Sequence, residues 1–386
     1  MNLHTTEPPP PFDDSDKIRY MLVQLYYHCF LLPILFLMLD SIRRCAYTSI
    51  LFFLLLAALG SFSLLVFALV ARELIEGYAH AHLAAHLLAW YGSFFLFASA
   101  LLMYRQKKSN GKPRRKTPTT LVILGCIYLG IAIDALLIEP EWLIIREITI
   151  ATPKITKPMT IVFCADMQTD HVGSYERRTL QKIKEQNADV ILFGGDYIQG
   201  DSDEANQQLL SDWNQLFREI DLQAPLGVYA IQGNKELKYQ WREMFKDTAV
   251  IPQSQTLSMS VGEVRISFLS VRGSWIQRTV ADMSQNSKFR IMLGHMPVYA
   301  TADQEADLLL AGHTHGGQIQ LPFWGPLLTN SRNLPRRWTS GVTSLPSGGT
   351  LIVTNGSGLA RGTAPRIRFY CRPDFWVIRL VPSKAG

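Results

Sequence analysis

The sequence is poor in charge for its length. Charged residues make up 18% of its 386 residues, whereas soluble proteins carry about 25%. The shortage is concentrated between residues 21 and 140, where the only dense cluster of charge is a short basic stretch. This pattern argues against a purely soluble protein. The high apolar content and the lack of a recurring period also exclude a disordered or fibrous chain.

Cysteine is scarce as well, with five residues scattered along the chain. No two of them have the C-x-x-C spacing, and an odd, dispersed set predicts neither a disulfide framework nor a zinc site. We interpret the cysteines as small buried hydrophobic residues. The formal charge of +6 is mild and arises locally, so nucleic-acid binding is not predicted.

Four apolar stretches have the length of about 20 helical residues that a bilayer requires. They are residues 21–38, 49–70, 83–104 and 121–138. A cleaved signal peptide is the alternative for the first stretch, but Asp13, Asp14 and Asp16 precede it where positive charge would be expected. The sequence therefore predicts a disordered tail over residues 1–20 and a four-helix transmembrane region over residues 21–140.

The loops between these stretches predict their orientation. Residues 105–116, between the third and fourth stretches, carry seven positive charges, and Arg43 and Arg44 lie between the first and second. Because positive loops remain in the cytoplasm, both ends of the chain should face the other side. We expect a multi-pass protein of the cell inner membrane whose domain over residues 141–382 lies outside the cytoplasm.

Short apolar runs recur after residue 160, and each ends at a residue that can bind a metal. Runs of this length and β-branched content predict buried strands. Helical periodicity between them favours an α/β domain, with helices at Ser174–Gln186, Asp203–Ile220 and Glu236–Asp247. The residues at the strand ends are Asp166, Asp196, Asn234, His295 and the group His313-Thr314-His315. Side chains at such ends gather over one edge of a sheet, where α/β proteins bind ligands.

This series resembles the calcineurin-like metallophosphoesterases, whose patterns are D-x-H, G-D, G-N-H-[DE], G-H and G-H-x-H. The chain carries them as Asp166-Met-Gln168, Gly195-Asp196, Gly233-Asn234-Lys235-Glu236, Gly294-His295 and Gly312-His-Thr-His315. The extension of the last motif through Gly316-Gly-Gln-Ile319 and the closing Tyr370-Cys-Arg-Pro-Asp374 resemble a branch with an N-terminal membrane anchor or export signal. The resemblance implies a four-layer α/β/β/α sandwich with two divalent metals at the strand ends.

The resemblance also implies which residues hold the metals. By motif position the first metal takes Asp166, Gln168, Asp196 and His315, and the second takes Asp196, Asn234, His295 and His313. Two metals a few ångströms apart can clamp both oxygens of an in-line displacement, and coordination lowers the pKa of water enough to supply hydroxide near neutral pH. Gly316 and Gly317 are predicted to let backbone amides approach a substrate anion beside His315.

Two departures from the family pattern bear on the chemistry. Gln168 replaces the histidine of D-x-H, and its harder oxygen donor should favour manganese or magnesium over zinc or iron. Lys235 replaces the histidine of G-N-H-E, which in the family lies near the phosphate and helps protonate the leaving group. A lysine there can still donate a proton or hold an oxyanion, so Lys235 is predicted to be catalytic and substrate-binding, with Asp196 as the other catalytic residue.

The leading hypothesis is therefore a membrane-anchored, two-metal phosphoesterase that cleaves phosphomonoesters or phosphodiesters, with lipid or envelope precursors as candidate substrates. Two alternatives remain open. One is a nucleotide-lipid pyrophosphatase similar to the diacylglucosamine-nucleotide hydrolases, which requires a cytoplasmic site. The other is a catalytically silent membrane sensor that binds metal or phosphate, which Gln168 and Lys235 would explain.

A later loop combines apolar and basic residues. Residues 321–328 are rich in proline, leucine and aromatic side chains, and Arg332, Arg336, Arg337 and Trp338 follow. Such a segment can dip toward lipid headgroups, or it can be an ordinary packed loop of the domain. The sequence leaves both readings open.

Overall fold

The computed structural model describes residue 85 and residues 92–101, 103–104, 116–276, 288–302, 304–327, 329, 334–360 and 366–383 of the chain. The predicted tail over residues 1–20 and the predicted spans 21–38 and 49–70 lie outside these residues. The described chain divides into two units, with a boundary between Leu136 and Leu137. The second unit contains the strands.

Within the described part of the chain, two apolar helices precede the strands, α1 (Gly92–Leu101) and α2 (Lys116–Ile133). A π-helical turn over Asp134–Ile138 and a 3-10 turn over Glu139–Glu141 prolong α2. Pro140 then prevents further α-helix, because proline lacks the N–H and its ring blocks the preceding turn.

Among the described residues, only Pro118–Glu141 forms a helix long and apolar enough to cross a membrane, a test that the core helix of a soluble protein can also pass. The third predicted span contains the shorter α1. The prediction of four membrane helices is therefore not supported by the part of the chain that the structure describes.

Two six-stranded mixed sheets form the body of the second unit. The first has the order β1-β14-β2-β3-β4-β5 and the second the order β12-β13-β9-β8-β7-β6. The strands of the first sheet are β1 (Ile144–Thr152), β2 (Met159–Cys164), β3 (Val190–Phe193), β4 (Val228–Ile231), β5 (Val250–Gln253) and β14 (Asp374–Pro382). Those of the second are β6 (Leu257–Val261), β7 (Val264–Phe268), β8 (Phe289–Leu293), β9 (Leu308–Ala311), β12 (Gly341–Ser344) and β13 (Thr350–Val353).

The two sheets pack face to face around an apolar core. Phe163 and Leu192 of the first sheet share this core with Phe268 and Leu310 of the second, and all four are fully buried. The central strands are apolar on both faces because each sheet is also covered from outside. The prediction of an α/β sandwich is thus confirmed.

The outer layers differ from each other. Helices α3 (Ser174–Lys184) and α4 (Asp203–Ile220) cover the first sheet, and Trp213 of α4 is fully buried there. The second sheet is covered by the 3-10 turns Pro297–Thr301 and Arg336–Trp338, beside the short helix α5 (Val271–Trp275). Within the described residues this fourth layer consists of short turns and the five-residue helix α5, whereas the family resemblance implies a layer of helices there.

The helix predictions had different outcomes. Helix α4 has the predicted bounds, because Ser202 caps its first turn by accepting a hydrogen bond from the N–H of Ala205 (3.1 Å). The predicted helix Glu236–Asp247 is wrong, since that segment contains only a 3-10 turn over Trp241–Phe245. Its first residue, Glu236, is completely buried and accepts hydrogen bonds from a neighbouring loop, which prevents it from starting an exposed helical face.

The C-terminal strand β14 lies inside the first sheet. It pairs in parallel with β1 and antiparallel with β2. At its start, the carboxylate of Asp374 accepts hydrogen bonds from Arg146 (2.6 Å) and from the backbone N–H of Asn355 (2.9 Å). These contacts connect the end of the chain to the loop that borders the candidate site.

A short hairpin completes the second unit. Its strands are β10 (Gln320–Leu321) and β11 (Gly325–Pro326), which pair antiparallel. The hairpin begins at Gln320, after the two residues that follow the 3-10 turn His315–Gly317.

Candidate metal centre

The predicted ligands follow neighbouring parallel strands of both sheets. Asp166, Asp196 and Asn234 come after β2, β3 and β4, which are adjacent in the first sheet. His295 and His313 come after β8 and β9, which are adjacent in the second. The carboxyl ends of these strands therefore bring the side chains together at one edge of the sandwich.

Four of the predicted ligands form one cluster. One ligand atom from each of Asp196, His295 and His313 lies within 4.8 Å of the others. His295 Nε2 lies 3.4 Å from Asp196 Oδ2 and 3.1 Å from Asn234 Oδ1. Its other nitrogen, Nδ1, lies 2.8 Å from the carbonyl oxygen of Gly194, which orients the ring and leaves Nε2 facing the cluster. This group matches the set predicted for the second metal.

Gln168 and His315 lie side by side in a second group. His315 Nε2 is 2.8 Å from Gln168 Oε1, and both side chains are buried. The amide of Gln168 donates to Oε1 of Gln199, so Gln199 fixes which end of the amide faces His315. A Cβ atom added to Gly356 would lie 2.7 Å from Cβ of Asp166 and 3.2 Å from His315 Nδ1, so Asp166 borders the same glycine as His315.

The backbone at the strand ends is strained. Asp166, Asp196, His313 and His315 have φ angles between 49° and 68°, the left-handed region that such residues rarely adopt. Strain of this kind persists where surrounding contacts hold it, and it concentrates at functional sites. One such contact requires glycine, because a Cβ atom at Gly233 would lie 2.2 Å from the backbone nitrogen of Asp196.

Burial and mutual charge set the protonation of the site. Burial raises the pKa of Asp166 to about 7, against the opposing charge of His295. Burial also acts to raise the pKa of Asp196, but the charge and hydrogen bond of His295 and the charge of Lys235 outweigh it, so this pKa is lowered. Burial alone would lower the pKa of His295, yet Asp196 and Asp166 raise it to about 9. The cluster thus contains buried carboxylates that attract positive charge.

The imidazole of His315 is held neutral. Burial, with the charge of Arg368, lowers the pKa of His315 well below its usual value. Neutral imidazole is the form that binds metals. Carboxylate oxygens, amide oxygens and imidazole nitrogens in buried positions are therefore a donor set that fits divalent transition metals.

The predicted substrate-binding residues have different surroundings. Lys235 is half-buried, and its backbone N–H donates to Oδ1 of Asp196 (2.9 Å), so its side chain originates at the rim of the cluster. Gly317 instead donates its N–H to the carbonyl oxygen of Thr314 (2.8 Å), inside the turn. The predicted contact of this amide with a substrate anion is not supported. Gly316 faces inward, where a Cβ atom would lie 2.4 Å from Oδ1 of Asn355 and 2.7 Å from Sγ of Cys371.

Two buried charged residues support the site without having been predicted. Glu236 accepts hydrogen bonds from the backbone N–H groups of Asp196 (3.1 Å), Tyr197 (2.7 Å) and Gly233 (2.9 Å), which fixes the loops that carry Asp196 and Asn234. The acidic last position of G-N-H-[DE] could have signalled this role.

Arg368 is the second of these residues. It is fully buried and donates to the carbonyl oxygens of Asn355, Gly356, Gly358 and Cys371. The loop that it holds donates in turn from Gly358 N to the carbonyl oxygen of Asp166 (2.6 Å). No feature of the sequence distinguishes Arg368 from the neighbouring arginines.

An α/β sandwich with acidic, amide and imidazole side chains on adjoining strand ends defines a class of metal-dependent phosphoesterases. A family model described as calcineurin-like phosphoesterase matches residues 159–317. The chain belongs to this family.

Individual relatives agree with this assignment. The chain is 31% identical over 211 residues to the uncharacterized metallophosphoesterase YkuE of Bacillus subtilis. The aligned residues make up 51% of this chain and 70% of YkuE. It is 26% identical over 259 residues to the phosphodiesterase YaeI of Escherichia coli, covering 63% of this chain and 90% of YaeI. An uncharacterized metallophosphoesterase of Campylobacter jejuni is 23% identical over 320 residues, 77% of this chain and 78% of its own length.

Proposed function

We propose that this chain is a membrane-anchored phosphodiesterase that uses two divalent metals and works outside the cytoplasm. The observation that carries the proposal is the buried cluster of Asp196, His295 and His313, whose ligand atoms lie within 4.8 Å of one another. A diester is the first substrate class to test because the relative YaeI is named a phosphodiesterase.

The donor set supports two sites of unequal character. Asp196, Asn234, His295 and His313 would hold one metal, and Asp166, Gln168, His315 and a shared Asp196 would hold the other. When bound, the two metals supply a Lewis-acid clamp and a nucleophile at neutral pH. The amide oxygen of Gln168, kept toward His315 by Gln199, favours manganese or magnesium over zinc in its site.

The chain's own residues complete the chemistry. Lys235 begins at the rim of the cluster, where its ammonium group can hold a phosphate oxygen or give a proton to the departing alkoxide. Asp196 is kept ionised by His295 and Lys235 despite its burial. The rigid backbone on both sides of Asp196, held by Glu236, keeps the donors in place and reduces their reorganisation during the reaction.

Membrane anchoring rests on helix length and on charge. The helix Pro118–Glu141 is long and apolar enough to cross a bilayer, and the seven positive charges of residues 105–116 precede it. By the rule that positive loops stay in the cytoplasm, the metal centre would lie on the opposite side. A reporter enzyme fused to the C-terminus tests this, because activity of a reporter that works only in the cytoplasm would overturn the topology.

The test of activity compares two esters and two matched variants. Detergent-purified full chain, loaded with manganese, is assayed on bis-p-nitrophenyl phosphate and on p-nitrophenyl phosphate. Asp196→Asn is expected to lose at least about a thousandfold in kcat. Asp221→Asn is the control, since Asp221 has a similar left-handed backbone (φ 50° against 55°) but is exposed at the end of α4.

Each outcome decides between the hypotheses. Turnover of the diester that is lost only in Asp196→Asn supports the proposal, and a preference for the monoester would overturn the substrate class. Two bound metals per chain without any turnover would favour a silent binding domain.

A further inference from the structure

The tip of the β10–β11 hairpin exposes two large aromatic side chains. Phe323 is fully exposed and Trp324 is 68% exposed, so neither contributes to the core. The guanidinium group of Arg336 lies 5.9 Å from the centre of the Trp324 ring. Arg336 also donates to the carbonyl oxygen of Leu327 (3.0 Å), which fixes it beside the hairpin.

The hairpin is fixed to a segment that exposes further aromatic residues. Gln320 N donates to the carbonyl oxygen of Phe369 (2.8 Å), and the next residue, Tyr370, is 66% exposed. The guanidinium group of Arg372 lies 3.6 Å from the ring centre of Trp142, which is 48% exposed. We call this set the aromatic patch, and its members are Trp142, Phe323, Trp324 and Tyr370, with Arg336 and Arg372 as associated cations.

The aromatic patch borders the point at which the chain enters the second unit. The carboxylate of Glu139 accepts hydrogen bonds from the backbone N–H groups of Tyr370 (2.8 Å) and Cys371. Glu139 lies in the last turn of Pro118–Glu141, the helix that is long and apolar enough to cross a membrane. Trp142 follows that helix directly. One member of the patch, Tyr370, is therefore held by a hydrogen bond to the residue that immediately follows the apolar stretch.

The chemistry of the patch matches the surface of a bilayer. Tryptophan and tyrosine concentrate at the membrane–water interface, where an apolar ring and a polar group are both accommodated. Arginine near the same surface attracts anionic headgroups. If the helix Pro118–Glu141 crosses a bilayer, its last turn lies at the bilayer surface, which places Glu139 and the patch there.

We propose that the aromatic patch docks on the surface of the membrane that anchors the chain, and that the substrate is a phosphodiester whose apolar part stays in the bilayer. Only Gln318 and Ile319 separate the hairpin from the turn that carries His315, so docking at its tip would bring the metal centre close to the headgroups. The substrate class rests on the proposed phosphodiesterase activity, whereas the docking rests only on the proposed membrane anchoring.

The docking is tested without reference to activity. Full chain is placed in lipid nanodiscs that contain phosphatidylglycerol, with brominated or unbrominated acyl chains, and tryptophan emission is measured. Bromine should quench the wild type more than Trp324→Phe, which keeps an aromatic ring but removes the fluorophore. Equal fractional quenching in the two proteins overturns the docking. If the wild type and Trp324→Phe are quenched equally and Phe323→Ser/Trp324→Ser loses self-association, the partner that covers the patch is instead a second copy of the chain.

The substrate class has its own readout. Phe323→Ser/Trp324→Ser is assayed on a vesicle-embedded p-nitrophenyl phospholipid diester and on soluble bis-p-nitrophenyl phosphate. We expect KM for the embedded diester to rise about tenfold, which corresponds to about 1.4 kcal/mol of lost interaction, while the soluble diester is turned over as in the wild type. Ile251→Ser is the control, because Ile251 is 44% exposed on the edge strand β5, outside the patch.

The outcomes separate the two proposals. An equal effect on both diesters, or no effect on either, overturns the bilayer substrate. Absence of turnover in the wild type, with quenching that depends on Trp324, would refute the phosphodiesterase function and leave the docking supported.

Discussion

Replacing Arg368 by methionine removes the buried cation that fixes the loop beside the first predicted metal site. The guanidinium group donates to four carbonyl oxygens, those of Asn355 (2.9 Å), Gly356 (3.0 Å), Gly358 (2.6 Å) and Cys371 (2.8 Å). Methionine has a similar length but no donor, so the four oxygens would lose their partner in the interior.

The magnitude follows from two opposing contributions. Hydrogen bonds to a charged group are worth about 1.5–3 kcal/mol each, so four give about 6–12 kcal/mol. Burying a guanidinium group costs several kcal/mol, which the substitution recovers. We therefore expect the free energy of unfolding to fall by about 3–5 kcal/mol. At about 2–4 °C per kcal/mol, the unfolding midpoint should fall by about 6–20 °C.

The assay is thermal unfolding of the detergent-purified full chain, followed by tryptophan fluorescence. Arg218→Met is the matched control, because Arg218 is exposed in the last turn of α4 and its replacement should change stability by less than about 0.5 kcal/mol. Arg368→Lys serves if the methionine variant does not fold. Lysine retains the charge but cannot reach four carbonyl oxygens, so the unfolding midpoint of Arg368→Lys should lie between those of the wild type and the methionine variant.

A midpoint for Arg368→Met within about 2 °C of the wild type would refute the reasoning. The loop held by Arg368 also donates to the carbonyl oxygens of Asp166 and, through Leu359, of Gln168. Calorimetric titration with manganese should therefore show weaker binding in Arg368→Met and unchanged binding in Arg218→Met.

Three further substitutions test the site. Gln199→Leu should weaken manganese binding about 10- to 100-fold, because the Gln168 amide loses the partner that orients it; titration at the affinity of the wild type would contradict this. Lys235→Ala should lower kcat on the diester about 10²- to 10⁴-fold, and Lys235→His should restore part of it; an unchanged kcat in the alanine variant would exclude a role for Lys235 in proton transfer. Gly316→Ala should destabilise the fold by about 1–3 kcal/mol, because its Cβ atom would lie 2.4 Å from a buried side-chain oxygen. Gly325 also has a left-handed backbone, but a Cβ atom there would meet open space, so Gly325→Ala should lose less stability. Equal unfolding midpoints for the two alanine variants would count against the clash at Gly316.

The sequence predicted the positions from which the candidate ligands start. Apolar runs that end at Asp166, Asp196 and His295 predicted strand ends, because a strand buried on both faces must be apolar throughout. Its first polar residue then marks the point at which it leaves the core. The sheet edge that these residues share follows from parallel pairing, which the alternation of strands and helices favours.

The contacts that support the site join residues that are distant in the sequence, so local sequence patterns could not predict them. Arg368 contacts carbonyl groups ten to thirteen residues away, and β1 pairs with a strand about 230 residues later. The helix predicted at Glu236 failed because the hydrogen bonds of its carboxylate to the Asp196 loop outweigh local helical preference. The hydrogen bond from Gly317 to Thr314, which occupies an amide that was predicted to approach an anion, follows from the conformation of the turn and not from its glycine content.

The position of β14 constrains how the chain is made. During synthesis β2, β3, β4 and β5 can pair as they emerge, but among the described strands β1 pairs only with β14, which begins about 230 residues later. Arg368 and the partners of Glu139 lie just before β14. The first strand and the metal-site loop are therefore still unsupported after β2 to β5 have left the ribosome. A nascent chain arrested before residue 366 should bind chaperones, and it should acquire metal only after residues 366–382 have been added.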